Sequence, residues 1–337
     1  MINAAIVGLG RWGRHLVDSI HGKSDMIRIA AGVARNPDRV RDYAREHDFP
    51  LYELYGKVLV NPRINAVILA TPHSQRAQLI VAAAKAGKHV FTEKPFALTR
   101  QDAAACVQTC ADYGVTLAVG FNWRFQPALL EIKRMLDDGA LGKLLHIEGN
   151  FCGPSVYRFG REHWRLDREE GPAGGMTGRG VHVVDAMLFL AGHIGTVYAQ
   201  SSRRVLEYGI DDTTSMLFSF RNGASGYLGT VIATAETWRM QVFGSKGWVE
   251  VGDIEHLTTW QMKACLLDPA NMTAKQQPRL MTFDTTSTER AELEHFARAV
   301  QAGRALAVPG GDEVHNVAVL EAIVESARRH APVEVAG

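Results

Sequence analysis

The first stretch of the sequence that can do chemistry is a glycine pattern, Gly8-x-Gly10-x-x-Gly13, set between a short apolar run and a helical pattern. A strand, a glycine turn and a helix in this order bind the pyrophosphate of a dinucleotide: the first glycine permits the tight turn, the second lets backbone approach the phosphates, and the third lets the helix pack on the strand. Arg11 and Trp12, inside the pattern, belong to the same predicted cofactor loop. An ordinary glycine-rich turn is the alternative, but the strand before it and the helix after it favour cofactor binding.

The second such stretch is Glu93-Lys94-Pro95, which follows the predicted strand of residues 88–92. A lysine that is partly desolvated beside a bound cofactor has a lowered pKa and can transfer a proton. Glu93 can orient that lysine, and Pro95 fixes the local backbone. Three ordinary surface residues are the alternative. Because these residues end a strand, we predict that Lys94 is a general acid/base and that Glu93 and Lys94 lie at the cofactor.

The third stretch pairs His182 with Asp185, after a run that contains four glycines. A spacing of three places both side chains on one face of a helix. A histidine near the start of a helix, preceded by glycines that allow close backbone approach, indicates a ligand site. A histidine that is hydrogen-bonded within a core is the alternative, and both readings stay open at this point.

In the first third of the chain, strand patterns alternate with helix patterns, and these elements must position the glycine pattern and Glu93-Lys94-Pro95. This alternation is the signature of a parallel sheet. Strands are predicted at residues 2–7, 26–33, 64–70, 88–92 and 115–120, and helices at 38–47, 75–86 and 99–113. The strand ends deliver their loops to one edge of the sheet, where ligands bind in open α/β sheets. Thr71, Pro72 and His73 break one strand at that edge and join the predicted cofactor site.

The residues after the second strand bear on the choice of cofactor. An acidic residue about 20 positions past the glycines would bind the ribose 2'-hydroxyl of NAD. This sequence has Ala34-Arg35 instead, and a guanidinium can pair with a 2'-phosphate. We predict NADP as the preferred cofactor, with NAD possible; an Arg35 that is merely solvated is the alternative.

Past Gly120 the pattern changes to longer alternating β segments, separated by turn residues and followed by two helices. These segments predict a large, mostly antiparallel sheet with one open face. Residues 267–280 are polar and irregular and are predicted as a surface loop. We divide the chain into domains at residues 1–121 and 122–337.

Composition limits the class of protein. The chain has 337 residues, 46% hydrophobic and 22% charged, with a formal net charge of +1. This balance is ordinary for a globular enzyme and gives no electrostatic reason to expect nucleic acid or a membrane surface as a partner. No signal-peptide pattern opens the sequence and no apolar run is long enough to span a membrane. The four cysteines lack zinc or disulfide spacing, so we expect no metal site and a cytoplasmic, reduced protein.

Taken together, these motifs and their order resemble the glucose-fructose oxidoreductase and inositol dehydrogenase family. The resemblance covers nearly the whole chain. It rests on the glycine pattern, Ala70-Thr71-Pro72, the 86–95 block ending in Glu-Lys-Pro, the 121–125 stretch, the glycine-rich block through Asp185, and Asp211-Asp212-Thr213.

The resemblance implies an N-terminal Rossmann domain and a C-terminal α/β domain whose open sheet pairs subunits, hence a homodimer or homotetramer. It implies that Lys94 and His182 face the substrate beside the nicotinamide, and that Arg124 and Asp185 hold substrate hydroxyls. Many family members have an aspartate four residues before the histidine, where this chain has Gly178. That departure puts the usual proton relay in doubt.

The segment before the glycine-rich block is rich in arginine and aromatic residues, and the resemblance places it near the mouth of the pocket. Arg165 can bind a carboxylate and Trp164 can stack on a sugar ring; surface or subunit ion pairs are the alternative. The sequence therefore predicts an oxidoreductase that interconverts a secondary alcohol and a ketone on a sugar, cyclitol, sugar acid or cyclic diol. Cofactor-dependent glycoside cleavage and a non-enzymatic NAD(P)-binding regulator are the rival hypotheses.

Overall fold

The structure is a computed structural model that describes residues 1–305 and 312–337. Its strands are β1 Ile2–Val7, β2 Ile27–Val33, β3 Leu51–Tyr52, β4 Ala66–Leu69, β5 His89–Glu93, β6 Leu117–Gly120, β7 Leu144–Cys152, β8 Ile194–Ser202, β9 Thr213–Phe220, β10 Ser225–Val231, β11 Thr237–Gly244, β12 Gly247–Asp253, β13 Met262–Leu266, β14 Arg279–Met281 and β15 Val333–Glu334. Its helices are α1 Arg11–Ile20, α2 Arg41–Glu46, α3 Tyr55–Leu59, α4 His73–Lys85, α5 Arg100–Asp112, α6 Pro127–Asp137, α7 Val181–Ala191, α8 Thr288–Gln301 and α9 Glu313–Arg329.

The chain forms two compact units that are not continuous in sequence. One comprises Met1–Asn122 with Ser287–Glu313, and the other Trp123–Thr286 with Val314–Gly337. The division into domains 1–121 and 122–337 remains a prediction; the structure groups the late helix α8, which that division assigned to the second domain, with the first unit. Phe296 of α8 packs edge-on against Phe91 of β5, with ring centroids 6.0 Å apart.

The first unit is built on a six-stranded parallel sheet in the order β3-β2-β1-β4-β5-β6. All four residues of β4 are buried, as expected for a strand covered by helices on both faces. In α1, Leu16, Val17 and Ile20 are buried, spaced as one face of a helix. The predicted Rossmann sheet is confirmed.

The second unit contains a nine-stranded sheet in the order β14-β13-β12-β11-β7-β10-β9-β8-β15. Every neighbouring pair is antiparallel except β7 with β10. Residues alternate between a buried and a solvent-facing side along β9: Phe218 and Phe220 are buried, whereas Leu217 is 56% exposed. The predicted mostly antiparallel, open-faced sheet is therefore confirmed.

Several short elements differ from the sequence expectations. Strand β3 and helix α3 were not predicted, because two and five residues are too few to show a period. Pro37–Val40 forms a 3₁₀ turn, so α2 begins at Arg41 and not at residue 38. Residues 279 and 280, predicted as loop, belong to the edge strand β14.

Candidate active site

The glycine turn between β1 and α1 has the geometry that a bound pyrophosphate requires. Gly8 has a φ of +97°, and a Cβ at this position would lie 2.6 Å from the carbonyl oxygen of Ala70. A Cβ at Gly13 would lie 1.9 Å from the carbonyl oxygen of Gly8, so only glycine lets α1 begin this close to the strand.

Gly10 differs from these two because it is exposed, and no described atom outside its chain neighbours lies within 4 Å of the position its Cβ would take. As the N-cap residue of α1 it has no side chain to occupy the first N–H groups of the helix. Arg11 is exposed beside it and Trp12 is half-buried. Open space next to free helix N–H groups fits the phosphates of a dinucleotide.

The end of β2 presents Ala34 and Arg35. The N–H of Ala34 donates to the carbonyl oxygen of Tyr52 at 3.1 Å, which fixes the backbone where the strand ends. Ala34 is half-buried and Arg35 is exposed. Arg35 follows β2, which pairs with β1, the strand before the glycine turn. Arg35 and the glycine turn therefore lie at the same edge of the sheet. A 2'-phosphate there would find a guanidinium and no carboxylate at these two positions.

A buried arginine connects the two loops that follow β4 and β5. Arg76 of α4 donates from Nε and Nη2 to the carbonyl oxygen of Thr71, at 3.0 and 2.7 Å. Its Nη1 donates to the carbonyl oxygens of Glu93 and Pro95, at 2.9 and 2.7 Å. Four hydrogen bonds from one cation therefore fix Thr71, Pro72 and His73 relative to the turn that carries Lys94. Thr71 and His73 are themselves buried and Pro72 is half-buried.

Glu93 and Lys94 end β5, and the Lys94–Pro95 peptide is cis. Burial raises the pKa of the Glu93 carboxyl above its ordinary range, against the opposing effects of Lys94, Trp12 and Arg76. Its Oε1 lies against β6, where a Cβ at Gly120 would come within 2.9 Å of it. Lys94 is half-buried.

In the second unit, His182 lies in the first turn of α7, directly after a π-helical turn at Met176–Gly180. Its side chain is surrounded by rings and the residue is only 6% exposed. Trp123 stacks on it with centroids 5.3 Å apart and an interplanar angle of 21°. Phe151 and His256 lie at centroid distances of 6.1 and 5.8 Å. His182 is therefore part of an aromatic cluster and has a second imidazole beside it.

Arg124 and Asp185, both predicted to hold substrate hydroxyls, form a buried ion pair with each other. Arg124 Nε donates to Asp185 Oδ2 at 2.9 Å and its Nη2 to Oδ1 at 2.7 Å, and the two side chains are 0% and 1% exposed. A planar guanidinium matches a carboxylate in this two-point geometry. The pair fixes α7 against the segment that carries Trp123; substrate binding by either residue remains a prediction.

Trp164 and Arg165 contact each other. The Arg165 guanidinium lies 4.4 Å from the Trp164 ring centroid, and the Arg165 N–H donates to Nδ1 of His163 at 3.2 Å. His163 stacks on Phe159 with centroids 4.2 Å apart. The aromatic and arginine-rich segment thus packs internally, and its part in substrate recognition also remains a prediction.

Position 178, where the family resemblance leads one to expect aspartate, is open. Apart from its chain neighbours and the backbone of its own helical turn, no atom of the described part of the chain lies within 4 Å of a Cβ built on Gly178. The next residue, Arg179, donates from Nη1 to Glu236 Oε1 at 2.5 Å and to the Cys152 carbonyl oxygen at 2.9 Å. Its guanidinium also lies 4.8 Å from the Phe151 ring centroid. This chain therefore has a bound arginine next to the position of the missing carboxylate.

Sequence reasoning missed Arg76 and His256. A signal for Arg76 was present: on α4 it lies four residues before Ile80, on the helix face that is buried. His256 lies in the irregular segment between β12 and β13, where no period marks it. Among the residues that the structure describes, there is no group of three or more His, Cys, Asp or Glu side chains that could hold a metal ion.

Comparison with known proteins defines the class. Residues 2–121 match a family described as an oxidoreductase family with an NAD-binding Rossmann fold, and residues 129–250 match the GFO/IDH/MocA C-terminal domain. The chain is thus a dehydrogenase-type oxidoreductase with an NAD-binding Rossmann unit, as the sequence predicted. More particularly, it belongs to the GFO/IDH/MocA family, which contains the sugar and inositol dehydrogenases.

Three relatives illustrate the range of that family. The chain is 30% identical to a D-xylose 1-dehydrogenase (NADP(+)) of Haloferax volcanii, over 91% of each chain. It is 28% identical to a scyllo-inositol 2-dehydrogenase (NAD(+)) of Bacillus subtilis, over 99% of this chain and 96% of that one. A crystal structure of an aldose-aldose oxidoreductase from Caulobacter crescentus, complexed with glycerol, is 27% identical with a TM-score of 0.87 over 99% of both chains. The relatives include NADP- and NAD-dependent enzymes, so they do not decide the cofactor.

No helix in residues 1–305 and 312–337 is long and apolar enough to cross a membrane.

All four cysteines are free thiols; Cys106, Cys110 and Cys152 are buried and Cys265 is partly exposed. Burial raises the pKa of the Cys106 thiol to about 12 and that of Cys110 to about 11. These two thiols are therefore unreactive packing groups of α5.

Proposed function

We propose that this protein is an NADP-preferring oxidoreductase that interconverts a secondary alcohol and a ketone on a sugar, cyclitol, sugar acid or cyclic diol. One observation carries the proposal: four loops at one edge of the parallel sheet bear the glycine turn, Arg35, Thr71 to His73, and Lys94. A phosphate cradle, a cation for a 2'-phosphate and a proton-transfer group at one edge are what this reaction requires.

The residues have separate tasks in this proposal. The turn from Gly8 to Gly13 holds the pyrophosphate, and Arg35 pairs with the 2'-phosphate. A bound nicotinamide supplies the hydride acceptor or donor. The protein supplies the proton transfer. In alcohol oxidation Lys94 Nζ accepts the hydroxyl proton, and in ketone reduction Lys94 returns a proton to the carbonyl oxygen. His182 hydrogen-bonds the reacting oxygen, and Arg124, Asp185, Trp164 and Arg165 are assigned to substrate binding.

The test is steady-state turnover of NADP and NAD with a panel of aldoses, inositols, sugar acids and cyclic diols. We expect net reduction of NADP with at least one member of the panel, and a higher kcat/KM for NADP than for NAD. Release of aglycone from a glycoside without net cofactor consumption would favour transient oxidation instead. Cofactor binding without turnover of any panel member would favour a regulator.

We also propose that the open face of the nine-stranded sheet joins subunits into a homodimer or homotetramer. Tyr198, Leu217 and Tyr227 are cross-strand neighbours on β8, β9 and β10, and Leu217 and Tyr227 are exposed. Contiguous apolar side chains on a sheet face indicate an interaction surface. A cytoplasmic location remains the expectation from the sequence, with four free thiols in keeping with a reducing compartment.

A further inference from the structure

The segment of residues 254–261, between β12 and β13, is held by buried hydrogen-bond donors. Trp238 Nε1 donates to the carbonyl oxygen of Glu255 at 3.2 Å, and Trp260 Nε1 donates to that of His256 at 3.0 Å. Gln126, which is fully buried, donates from Nε2 to the carbonyl oxygen of Thr258 at 2.9 Å and accepts from the backbone N–H of Trp260 at 3.3 Å. Four hydrogen bonds to buried side chains therefore hold this loop at residues 255, 256, 258 and 260.

This loop presents the ring of His256 to the aromatic cluster around His182. Trp123 Nε1 donates to His256 Nδ1 at 3.4 Å. An indole N–H can only donate, so Nδ1 carries the lone pair and the neutral ring carries its proton on Nε2. The same indole stacks on His182. Trp123 therefore fixes the tautomer of one imidazole and the plane of the other.

The two imidazoles lie side by side in this cluster. Their centroids are 5.8 Å apart with an interplanar angle of 50°. Two hydrogen bonds of roughly 2.8 Å each, converging on one hydroxyl or on two neighbouring hydroxyls, span such a separation. His256 is partly exposed, whereas Trp123, Trp238 and Trp260, which hold the loop, are buried. His256 is therefore the member of this assembly that solvent reaches most.

We propose that His256 is a substrate-binding residue that donates from Nε2 to the hydroxyl next to the carbon undergoing oxidation or reduction. The inference deepens the proposed function and rests on it for the identity of that carbon. It names the substrate class more narrowly: a polyol with neighbouring hydroxyl groups, one met by His182 and the other by His256. His256 also places a second polar side chain beside His182, in a chain that has glycine at position 178.

The first arm of the test measures binding without turnover. Diethyl pyrocarbonate is applied to the protein with saturating NADP, with and without D-xylose or myo-inositol, and modification is quantified at each histidine by peptide mass spectrometry. We expect at least one of the polyols to lower modification at His256 several-fold and to leave the exposed His330 unchanged. If neither polyol at near-molar concentration protects His256, the inference is overturned, whatever the activity assay shows.

The second arm measures recognition of the neighbouring hydroxyl. His256→Phe keeps an aromatic ring in the cluster but removes the donor, and His256→Gln keeps an N–H group. For a polyol that is turned over, the wild type is expected to prefer it about tenfold in kcat/KM over the analogue deoxygenated at the adjacent carbon. His256→Phe should lose that preference and His256→Gln should retain part of it.

These arms separate the possible failures. Equal losses on both substrates in His256→Phe, with the preference unchanged, would show a merely structural residue and overturn the inference. Protection of His256 by a polyol in a protein that oxidises none would support His256 as a polyol ligand and count against the proposed redox function alone. Unfolding of His256→Phe, seen as a collapsed Tm, leaves His256→Gln and the protection experiment to decide.

Discussion

At the scale of single residues, we propose that the glycine at position 178 limits the part that His182 plays in proton transfer. A carboxylate one helical turn before the histidine would orient the imidazole and stabilise its charged form. Here the position has no side chain, and the neighbouring Arg179 is bound to Glu236. His182 is instead packed between rings. We therefore assign the main proton transfer to Lys94 and a hydrogen-bonding role to His182.

Substitution of the two proposed catalytic residues tests this division. Lys94→Ala should lower kcat by roughly 10²–10⁴-fold while affinity for the cofactor stays nearly intact, because the proton then has no positioned acceptor. His182→Ala should cost less. Pre-steady-state kinetics with NADP and a turned-over polyol provides the measurement.

Gly178→Asp is the companion variant. Because the position is open, the new carboxylate should fit and raise activity on simple polyols if its absence is what limits His182. Near-normal turnover in Lys94→Ala together with an inactive His182→Ala would reverse the two roles.

A second residue-scale prediction concerns Arg35. Arg35→Asp should shift the preference from NADP towards NAD, because it removes one or two charge-assisted hydrogen bonds of about 1.5–3 kcal/mol each and adds repulsion. The ratio of kcat/KM for the two cofactors is the measurement. Arg63→Asp is the matched control: it makes the same charge change at another exposed arginine of this unit, which precedes β4. An unchanged ratio in Arg35→Asp would refute the assignment.

At the scale of secondary-structure elements, Arg76 connects the loops after β4 and β5. Arg76→Lys keeps the charge but cannot reach all three carbonyl oxygens at once, since an ammonium lacks the flat, branched donor set of a guanidinium. We expect a lower Tm and a fall in kcat larger than the change in cofactor KM, because the Lys94 turn loses its support.

The control is Arg45→Lys, which alters an exposed arginine paired with Asp42 on α2. It should leave both Tm and kcat unchanged. If Arg76→Lys lowers Tm with a normal kcat, Arg76 serves stability and does not position Lys94.

The docking of α9 gives a prediction about pH. His315 stacks on His193 with centroids 4.0 Å apart and lies 3.1 Å from the carbonyl oxygen of Ile194. Burial, with help from the charges of His193 and Arg221, lowers the pKa of His315 from 6.5 to about 4. Between these values the unfolded chain binds a proton that the folded chain does not, so stability falls as the pH drops through this window.

His315→Gln should therefore flatten the dependence of Tm on pH between about 4 and 6.5, while preserving a side-chain donor for the Ile194 carbonyl. Thermal unfolding at pH intervals across that range measures it. A variant whose slope equals that of the wild type would show that other groups carry the acid sensitivity.

At the scale of the whole molecule, we propose that the open sheet face joins subunits. Its apolar part lies on β8 to β10, and its charged part lies on neighbouring strands, where Arg239 pairs with Glu148 and Glu250. A face with both an apolar patch and a polar network resembles a protein–protein interface more than a solvated surface.

Leu217→Glu places a charge in the centre of this apolar patch and should weaken self-association, since an unpaired carboxylate is costly to bury. Light scattering at micromolar concentration should give a multiple of 37.0 kDa for the wild type and a smaller mass for the variant. Leu54→Glu, at an exposed leucine of the other unit, should leave the mass unchanged. A wild-type monomer would contradict the proposal.

The sequence by itself determined the class and the framework of this protein. Glycine spacing, strand periods and strand-end residues are local signals, so they predicted the parallel sheet, the cofactor turn and the loop positions of Arg35 and Lys94. The long strands of the second half could also be predicted, because the alternation of apolar and polar residues over about eight positions is a local signal. On β9, Met216, Phe218 and Phe220 form a buried row, whereas the apolar Leu217 faces outward.

Only the tertiary structure decided which side chains meet. The Arg124–Asp185 pair joins residues 61 positions apart, and the donors on the 254–261 loop come from Trp123, Gln126 and Trp238. Arg76 reaches carbonyl groups 17 and 19 residues away. Such contacts depend on which elements pack together, and the free energy that selects them comes from burial over the whole unit. A local pattern contains no record of that selection, which is why the partners of Arg76 and His256 became visible only in the fold.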